Sequence, residues 1–376
     1  MNKLRSVRLL LPILLLAACE AAFRSGCWEP FAAPNSHAGT SVRVKRALAE
    51  FSGPIDFVTL GSSRAVYGLD HQLIAERAAS HGYTHANLSM AGAHWLSVNT
   101  LVAWLRRQRP GLQGGVIALG LSDLTGASNG NHELAIVTPL QTEWLGSAEL
   151  HQRFRFEDRG SWGAASVLWQ YRSDISDLAL RPVRRRKDLR WYRKYGAHSL
   201  FHGWQAHFDV CGLDWDTLAR CNAITPVNAD QEHLLATCRL HATSQSPPDW
   251  RGYIAGSAPP AQVELREQRR LDIRNIIWPR PPILILMPLT QHWRDEILPR
   301  GMREYAHALF DPLVAEGRLH LLDYSEFFDR DGSTRCDVFW DIFHQNTKGA
   351  RELTEALLPE LGRLLYAGPV RSSPGP

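Results

Sequence analysis

The chain alternates short apolar runs with amphipathic stretches, and that rhythm predicts its fold. A strand is expected near Ile55–Leu60, then a helix over roughly 70–81 and a second strand over 83–90. Apolar positions at helical spacing follow from Trp95 to Arg107, and Gly115–Leu121 is a compact apolar run, expected as a buried strand. The alternation stops between about 125 and 259, where Trp, Arg, His and Ser crowd without a clean period. It resumes with a polar helix over 263–277, a strand over 282–287, a helix over 301–316, a strand over 319–323 and a last helix over 347–366, bent at Pro359. Strands that read as unbroken apolar runs between helices call for a parallel sheet covered on both faces. The expectation is an α/β fold, a five-stranded three-layer α/β/α arrangement, over residues 51–124 and 260–368. Residues 125–259 form a large irregular or helical insertion, a cap or substrate region, because a structureless loop of that length is improbable in a compact domain. Residues 369–376 are expected as a disordered tail.

The first residues break this pattern and read as a targeting segment. Lys3, Arg5 and Arg8 precede the apolar stretch Leu9–Ala18, which is shorter than the roughly 20 residues a bilayer span needs. The stretch ends in Leu16-Ala17-Ala18-Cys19, which resembles the lipobox of bacterial lipoproteins and would place a lipid on Cys19. An ordinary cleaved signal and an uncleaved anchor are the alternatives. Glu20, rather than Asp, follows and argues weakly against retention in an inner membrane. Residues 20–50, with Pro30, Pro34, Asn35, Ser36 and Gly39, read as a tether. The expected location is therefore the cell envelope, lipid-anchored and facing the periplasm or the exterior.

Composition narrows the partners. A formal charge of +4 over 376 residues is too small to imply nucleic acid. Six cysteines are present. With Cys19 lipidated, Cys27, Cys211, Cys221, Cys238 and Cys336 remain, and one bridge among Cys211, Cys221 and Cys238 is expected in an oxidising compartment. No pair has zinc-knuckle spacing. His-Glu-x-x-His, Gly-x-Ser-x-Gly, a P-loop and Gly-x-Gly-x-x-Gly are all absent, so no metal or nucleotide cofactor is implied. Asp329-Arg330-Asp331-Gly332-Ser333 starts like a calcium loop, but its twelfth position would be Trp340 and not Glu, so a polar turn is the better reading. His81, His85 and His94 are read as packing or surface residues.

Two motifs carry candidate chemistry. Gly61-Ser62-Ser63-Arg64 follows the first strand, and Asp341-Ile342-Phe343-His344 precedes the last helix. A serine hydroxyl is a poor nucleophile until a base removes its proton, and His344 would be that base. Asp341 would orient the imidazole and stabilise its cation. The backbone amides of Ser63 and Gly92 would face the oxyanion of an acyl-transfer intermediate. Each motif alone is weak: Gly-Ser-Ser is more often a turn, and Asp-x-x-His arises by chance. Their order, and the strand before Ser63 and helix after His344, raise the joint reading.

Taken together, these blocks resemble the SGNH/GDSL hydrolase superfamily of esterases, lipases and carbohydrate O-acyltransferases. Gly61-Ser62-Ser63 stands where that family has Gly-Asp-Ser, Gly92 where it has the oxyanion glycine, Gly120-Leu121-Ser122-Asp123 where it has Gly-x-Asn-Asp, and Asp341 with His344 where it has Asp-x-x-His. The resemblance spans residues 55–366 without the insertion. It implies a flavodoxin-like sheet, a Ser63–His344–Asp341 triad and an oxyanion site of Ser63, Gly92 and a third donor. That third donor is Asn in the family and Ser122 here, with Asn129 or Asn131 as possible substitutes. The implied activity is hydrolysis or transfer of acyl esters of an envelope glycan or lipid. The loss of the family Asn leaves a second reading, a non-catalytic glycan-binding or assembly protein on the same fold.

Residues 181–194 hold eight basic residues with Trp191, Tyr192 and Tyr195 nearby. Such a stretch suits an anionic glycan or lipid headgroups, since Arg pairs with carboxylate and phosphate; a solvated helix face is the equal alternative. Arg64, Arg185 and Trp191 are accordingly candidates for substrate binding.

Overall fold

The computed structural model describes residues 2–33, 36–51, 53–93, 95–124, 166, 168, 171–195, 270, 272–291, 293–294, 298, 301–340 and 343–367. The chain divides into two compact units. One comprises residues 1–50 with 127–200, and the other comprises 51–126 with 201–376.

The second unit is α/β. Its sheet has five strands, β1 (Phe57–Gly61), β2 (His85–Asn87), β3 (Gly114–Leu119), β4 (Ile283–Leu286) and β5 (His320–Asp323), in the order 2-1-3-4-5 and all parallel. Every residue of β1, β3 and β4 is buried, which is why these strands read as unbroken apolar runs. The edge strands β2 and β5 are less apolar and less completely buried.

Four helices in this unit matter for the site: α3 (Ser63–Gly68), α4 (His71–Ser80), α8 (Met302–Ala315) and α9 (Thr347–Leu364), with α5 (Trp95–Gln108) between β2 and β3. Phe57, Val116, Ala118, Ile283 and Ile285 from one sheet face pack with Ala65, Ile74, Leu353, Leu357 and Leu361. Trp95 of α5 and Phe310 of α8 meet at 6.0 Å between ring centroids. Pro359 lies inside α9 without ending it. Of the helix expected over 263–277, Arg270 and residues 272–274 are described and helical. Arg270 donates to the carbonyls of Ala308 and Leu309 in α8. Residues 329–334 form the two-residue hairpin of β6 (Asp329–Arg330) and β7 (Ser333–Thr334), with Asp331 and Gly332 both at positive φ, so the polar-turn reading of this segment fits its backbone.

The first unit corrects the expected tether. α1 (Asn2–Arg24) runs through Cys19, which is exposed with a free thiol. Glu20 accepts from the Ser166 hydroxyl and the Leu168 N–H. α2 (His37–Glu50) fills the second part of what read as linker, and Trp28, Ala32, Val42, Val44 and Leu48 are buried. Two of the supposed breakers are start signals: Pro30 lies in the first turn of a short 3-10 helix, and the Ser36 hydroxyl accepts from Gly39 N–H at the head of α2. Within the expected insertion, α6 (Arg172–Leu180) and α7 (Pro182–Tyr195) make a helical hairpin, and residues 127–200 belong to this unit while 201–259 do not. None of the described helices is long and apolar enough to cross a membrane.

Candidate active site

The site is built on the turn between β1 and α3. Gly61 lies at φ 155°, and a Cβ there would fall 2.1 Å from the Ala118 carbonyl oxygen, so glycine alone lets β1 turn this close to β3. Ser62 caps α3, its Oγ accepting from Arg64 N–H at 3.3 Å, and Ser63 is the first helical residue. The apolar strand thus ends by presenting a serine, half-buried, at the carboxyl edge of the sheet, where open α/β sheets place their ligands.

His344 arrives from the other end of the chain. A short loop folds back on itself before α9: Trp340 N–H donates to the His344 carbonyl at 2.8 Å, and Asn346 N–H to the Val338 carbonyl at 3.0 Å. Asn346 then caps α9 through its Oδ1, and its amide nitrogen holds the carbonyls of Asp337 and Phe339. Gln345 fastens this loop to the end of β4 by donating to the Pro288 carbonyl at 2.8 Å. The result places His344 Nε2 2.8 Å from Ser63 Oγ, although 281 residues separate them. The imidazole is 6% exposed. Phe343, Tyr67 and Trp340 surround it, with ring centroids at 4.2, 5.8 and 6.3 Å. A hydroxyl on a nearly dry imidazole is the arrangement from which a proton can move to nitrogen as the oxygen attacks.

Asp341, the expected third member, lies outside the described residues, as do Asn129 and Asn131. Gly92 sits at φ 78° in the loop after β2, and that loop is tied to the Ser63 turn by Met90 N–H donating to the Gly61 carbonyl at 2.9 Å.

Behind the serine lies a buried network that engages Arg64. Arg64 was expected to bind substrate. It is buried, and its Nη1 meets Asp123 Oδ1 at 2.5 Å with both side chains nearly inaccessible. Asp123 Oδ2 accepts from Ser62 Oγ at 2.7 Å and from Gly120 N–H at 2.9 Å. Arg64 Nη2 donates to Ser122 Oγ at 2.8 Å, so the residue expected as the third oxyanion donor takes part in this brace. Gly120 has no room for a side chain, since a Cβ there would lie 2.5 Å from Arg64 Nε. The guanidinium also lies 5.1 Å from the Phe343 ring centroid, linking the serine turn to the histidine loop. Burial alone would raise the Asp123 carboxyl, but the Arg64 charge and the hydrogen bonds from Ser62, Arg64 and Gly120 outweigh it and hold the carboxyl below its usual range. The signal for this brace was the final Asp of Gly120-Leu121-Ser122-Asp123, which had been given no role.

The other candidate ligands are likewise accounted for. Arg185 is not available to substrate: in the first unit it is buried, pairing with Asp174 at 3.1 Å and Asp177 at 2.7 Å and donating to the Phe31 carbonyl. Trp191 is in α7, and its side chain is outside the described set. His85 is a packing residue, held between Thr59 Oγ1 at 2.8 Å and the Tyr366 hydroxyl at 2.7 Å. Among the described residues no cluster of His, Cys, Asp or Glu could hold a metal ion. Cys336 is disulfide-bonded while Cys19 and Cys27 are free; Cys211, Cys221 and Cys238, among which one bridge was expected, lie outside the described residues. Cys336 sits four residues before Trp340, at the start of the histidine loop.

No family model matches the chain, and no curated protein sequence matches it either.

Proposed function

We propose that this protein is an SGNH-type serine esterase or O-acyltransferase, tethered to a membrane and acting on acyl esters of an envelope glycan or lipid. The observation that carries the reading is the 2.8 Å approach of Ser63 Oγ to His344 Nε2 at the carboxyl edge of a parallel sheet. The strand order 2-1-3-4-5 is that of flavodoxin-like folds, and it supports the resemblance in the Gly61-Ser62-Ser63 and Asp341–His344 blocks.

In this mechanism Ser63 Oγ attacks the acyl carbonyl carbon as His344 Nε2 takes its proton. The oxyanion is met by the backbone N–H groups of Ser63 and Gly92, donors worth about 3 kcal/mol each when preorganised. His344 returns the proton to the departing alkoxide. A water or a sugar hydroxyl, deprotonated by the same imidazole, then releases the acyl group. Asp341 would hold the imidazole's other nitrogen, as the resemblance implies. Ser122 is the weak member, because a serine hydroxyl is shorter than the Asn amide that stands in this position in the SGNH pattern. That departure supports a second reading, a non-catalytic glycan-binding or envelope assembly protein on the same fold.

Aryl-acetate hydrolysis separates the two. The parent protein should hydrolyse the ester, and Ser63→Ala and His344→Ala should each lose about three orders of magnitude or more in kcat with unchanged circular dichroism. A parent that neither hydrolyses the ester nor transfers its acyl group to an added oligosaccharide would sink the catalytic reading in favour of binding.

A further inference from the structure

The corner of the α6–α7 hairpin is built unlike an ordinary solvent-facing turn. Leu180 ends α6 and Val183 lies in the first turn of α7, with Arg181 and Pro182 between them. Leu180 is 79% and Val183 82% exposed, among the most exposed large apolar residues described. Aliphatic side chains paired this way at a helical corner cost solvation and contribute nothing to the core of their own unit. Immediately beside them α7 turns basic. Arg185 faces inward onto Asp174 and Asp177, while Arg184, Arg186, Lys187 and Arg190 are exposed. Over residues 181–194 eight basic residues stand against one acidic residue, Asp188. Two ion pairs touch this face, Arg184 with Asp188 and Arg181 with Asp177, both at 3.9 Å and on exposed side chains. Pairs so exposed are worth little and leave most of the positive field in place.

We infer that this hairpin is a docking surface for an anionic lipid bilayer, with Leu180 and Val183 entering the headgroup–acyl boundary and the α7 arginines and lysine meeting lipid phosphates. The observations favour a bilayer over an anionic glycan, because aliphatic side chains gain from hydrocarbon and not from hydrated sugars. The same compact unit carries a second apolar element: Leu11, Ile13, Leu14, Leu15 and Leu16 of α1 are each more than half exposed. Two separate apolar elements and one basic face on one unit fit a surface that rests on a membrane. The inference stands on this unit alone and does not depend on catalysis in the other.

The test uses the full-length chain, diluted from detergent onto preformed vesicles and floated. Vesicles are phosphatidylcholine alone or phosphatidylcholine with phosphatidylglycerol. Because α1 will bind both, the readout is the preference for the anionic vesicles. The parent should prefer them, and added salt should erase the preference. Replacing Arg184, Arg186, Lys187 and Arg190 by Gln should cut the preference by about a hundredfold, taking about fivefold per basic side chain near an anionic surface and allowing for screening. Leu180→Ser with Val183→Ser should weaken binding to the anionic vesicles while leaving the salt dependence intact. A parent without anionic preference, or a four-Gln variant that keeps it, overturns the inference. So does the glycan outcome: tight binding to soluble polygalacturonate that the four-Gln change abolishes and the two-Ser change does not touch, with equal binding to both vesicles.

Discussion

Changing Asp123 to Asn is the perturbation from which the brace behind Ser63 predicts most. The substitution keeps the shape of the side chain, so no cavity forms and the loss is electrostatic. In the parent one carboxylate serves three donors: Arg64 Nη1 at 2.5 Å, Ser62 Oγ at 2.7 Å and Gly120 N–H at 2.9 Å. An amide has one acceptor oxygen and brings two donors of its own. Placed against the guanidinium, that oxygen leaves an NH₂ group pointing at the Gly120 N–H. More costly is the Arg64 guanidinium itself, which would stay buried without a counter-charge. Breaking a buried pair in this way costs about 3–5 kcal/mol. The chain has two compact units, so a single unfolding midpoint would blur the result. Amide hydrogen exchange of β1 and β3 reads the right unit, and protection there should fall by about two to three and a half orders of magnitude. In a double-mutant cycle with Arg64→Met the pair should couple by about 2 kcal/mol. The acid limb has a definite sign. Because the folded carboxyl is held below its ordinary range, its contribution is complete above that range and is lost as pH falls through the folded value. Asp123→Asn should lack that acid-dependent loss. A fall in protection of less than about tenfold, or additive single effects, would refute the idea that this ion pair supports the turn carrying Ser63.

Two further outcomes follow from the same unit. Gly61→Ala would drive a Cβ to 2.1 Å from the Ala118 carbonyl at a φ of 155°, so β1 and β3 must separate; we expect a loss of about 3 kcal/mol or more and little soluble protein, read by expression yield and exchange at β1. Burial, with a minor contribution from His71, pushes the His85 imidazole down to about 3. Since the unfolded group titrates near 6.5, stability should be full above that pH and decline below it, by about 4 kcal/mol near pH 3, and exchange at β2 measured from pH 7 to 4 in the parent and in His85→Gln checks the sign.

How much of this was legible in the sequence depended on whether a residue's partners lie close along the chain. β1, β3 and β4 were legible because burial on both faces leaves only apolar residues and glycine in them apart from Thr59, whose hydroxyl meets His85. β2 was placed correctly but overextended, since only His85–Asn87 form the strand, although the Leu88 and Met90 N–H groups still donate to the Thr59 and Gly61 carbonyls of β1. α2 was missed because Pro30, Pro34, Asn35, Ser36 and Gly39 were read as breakers, when a serine that accepts from the N–H three residues on is how a helix begins. The pairing of Ser63 with His344 was foreshadowed by two motifs in the right order at an expected sheet edge. Nothing local could have shown that Arg64 is claimed by Asp123, which lies 59 residues away.

Arg185 makes the same point within one helix. Residue type assigned the whole basic run to a ligand, yet Arg185 is buried on Asp174 and Asp177 while Arg184, Arg186 and Lys187 beside it are exposed. The distinction follows from helical phase. Asp174 and Asp177 are three residues apart and so share a face of α6. In an antiparallel hairpin that face can meet one phase of α7, and Arg185 occupies it. A basic run on a helix therefore divides into arginines that hold the helix to its neighbour and arginines left for a partner. The acidic pair upstream in the sequence is the signal that tells one from the other.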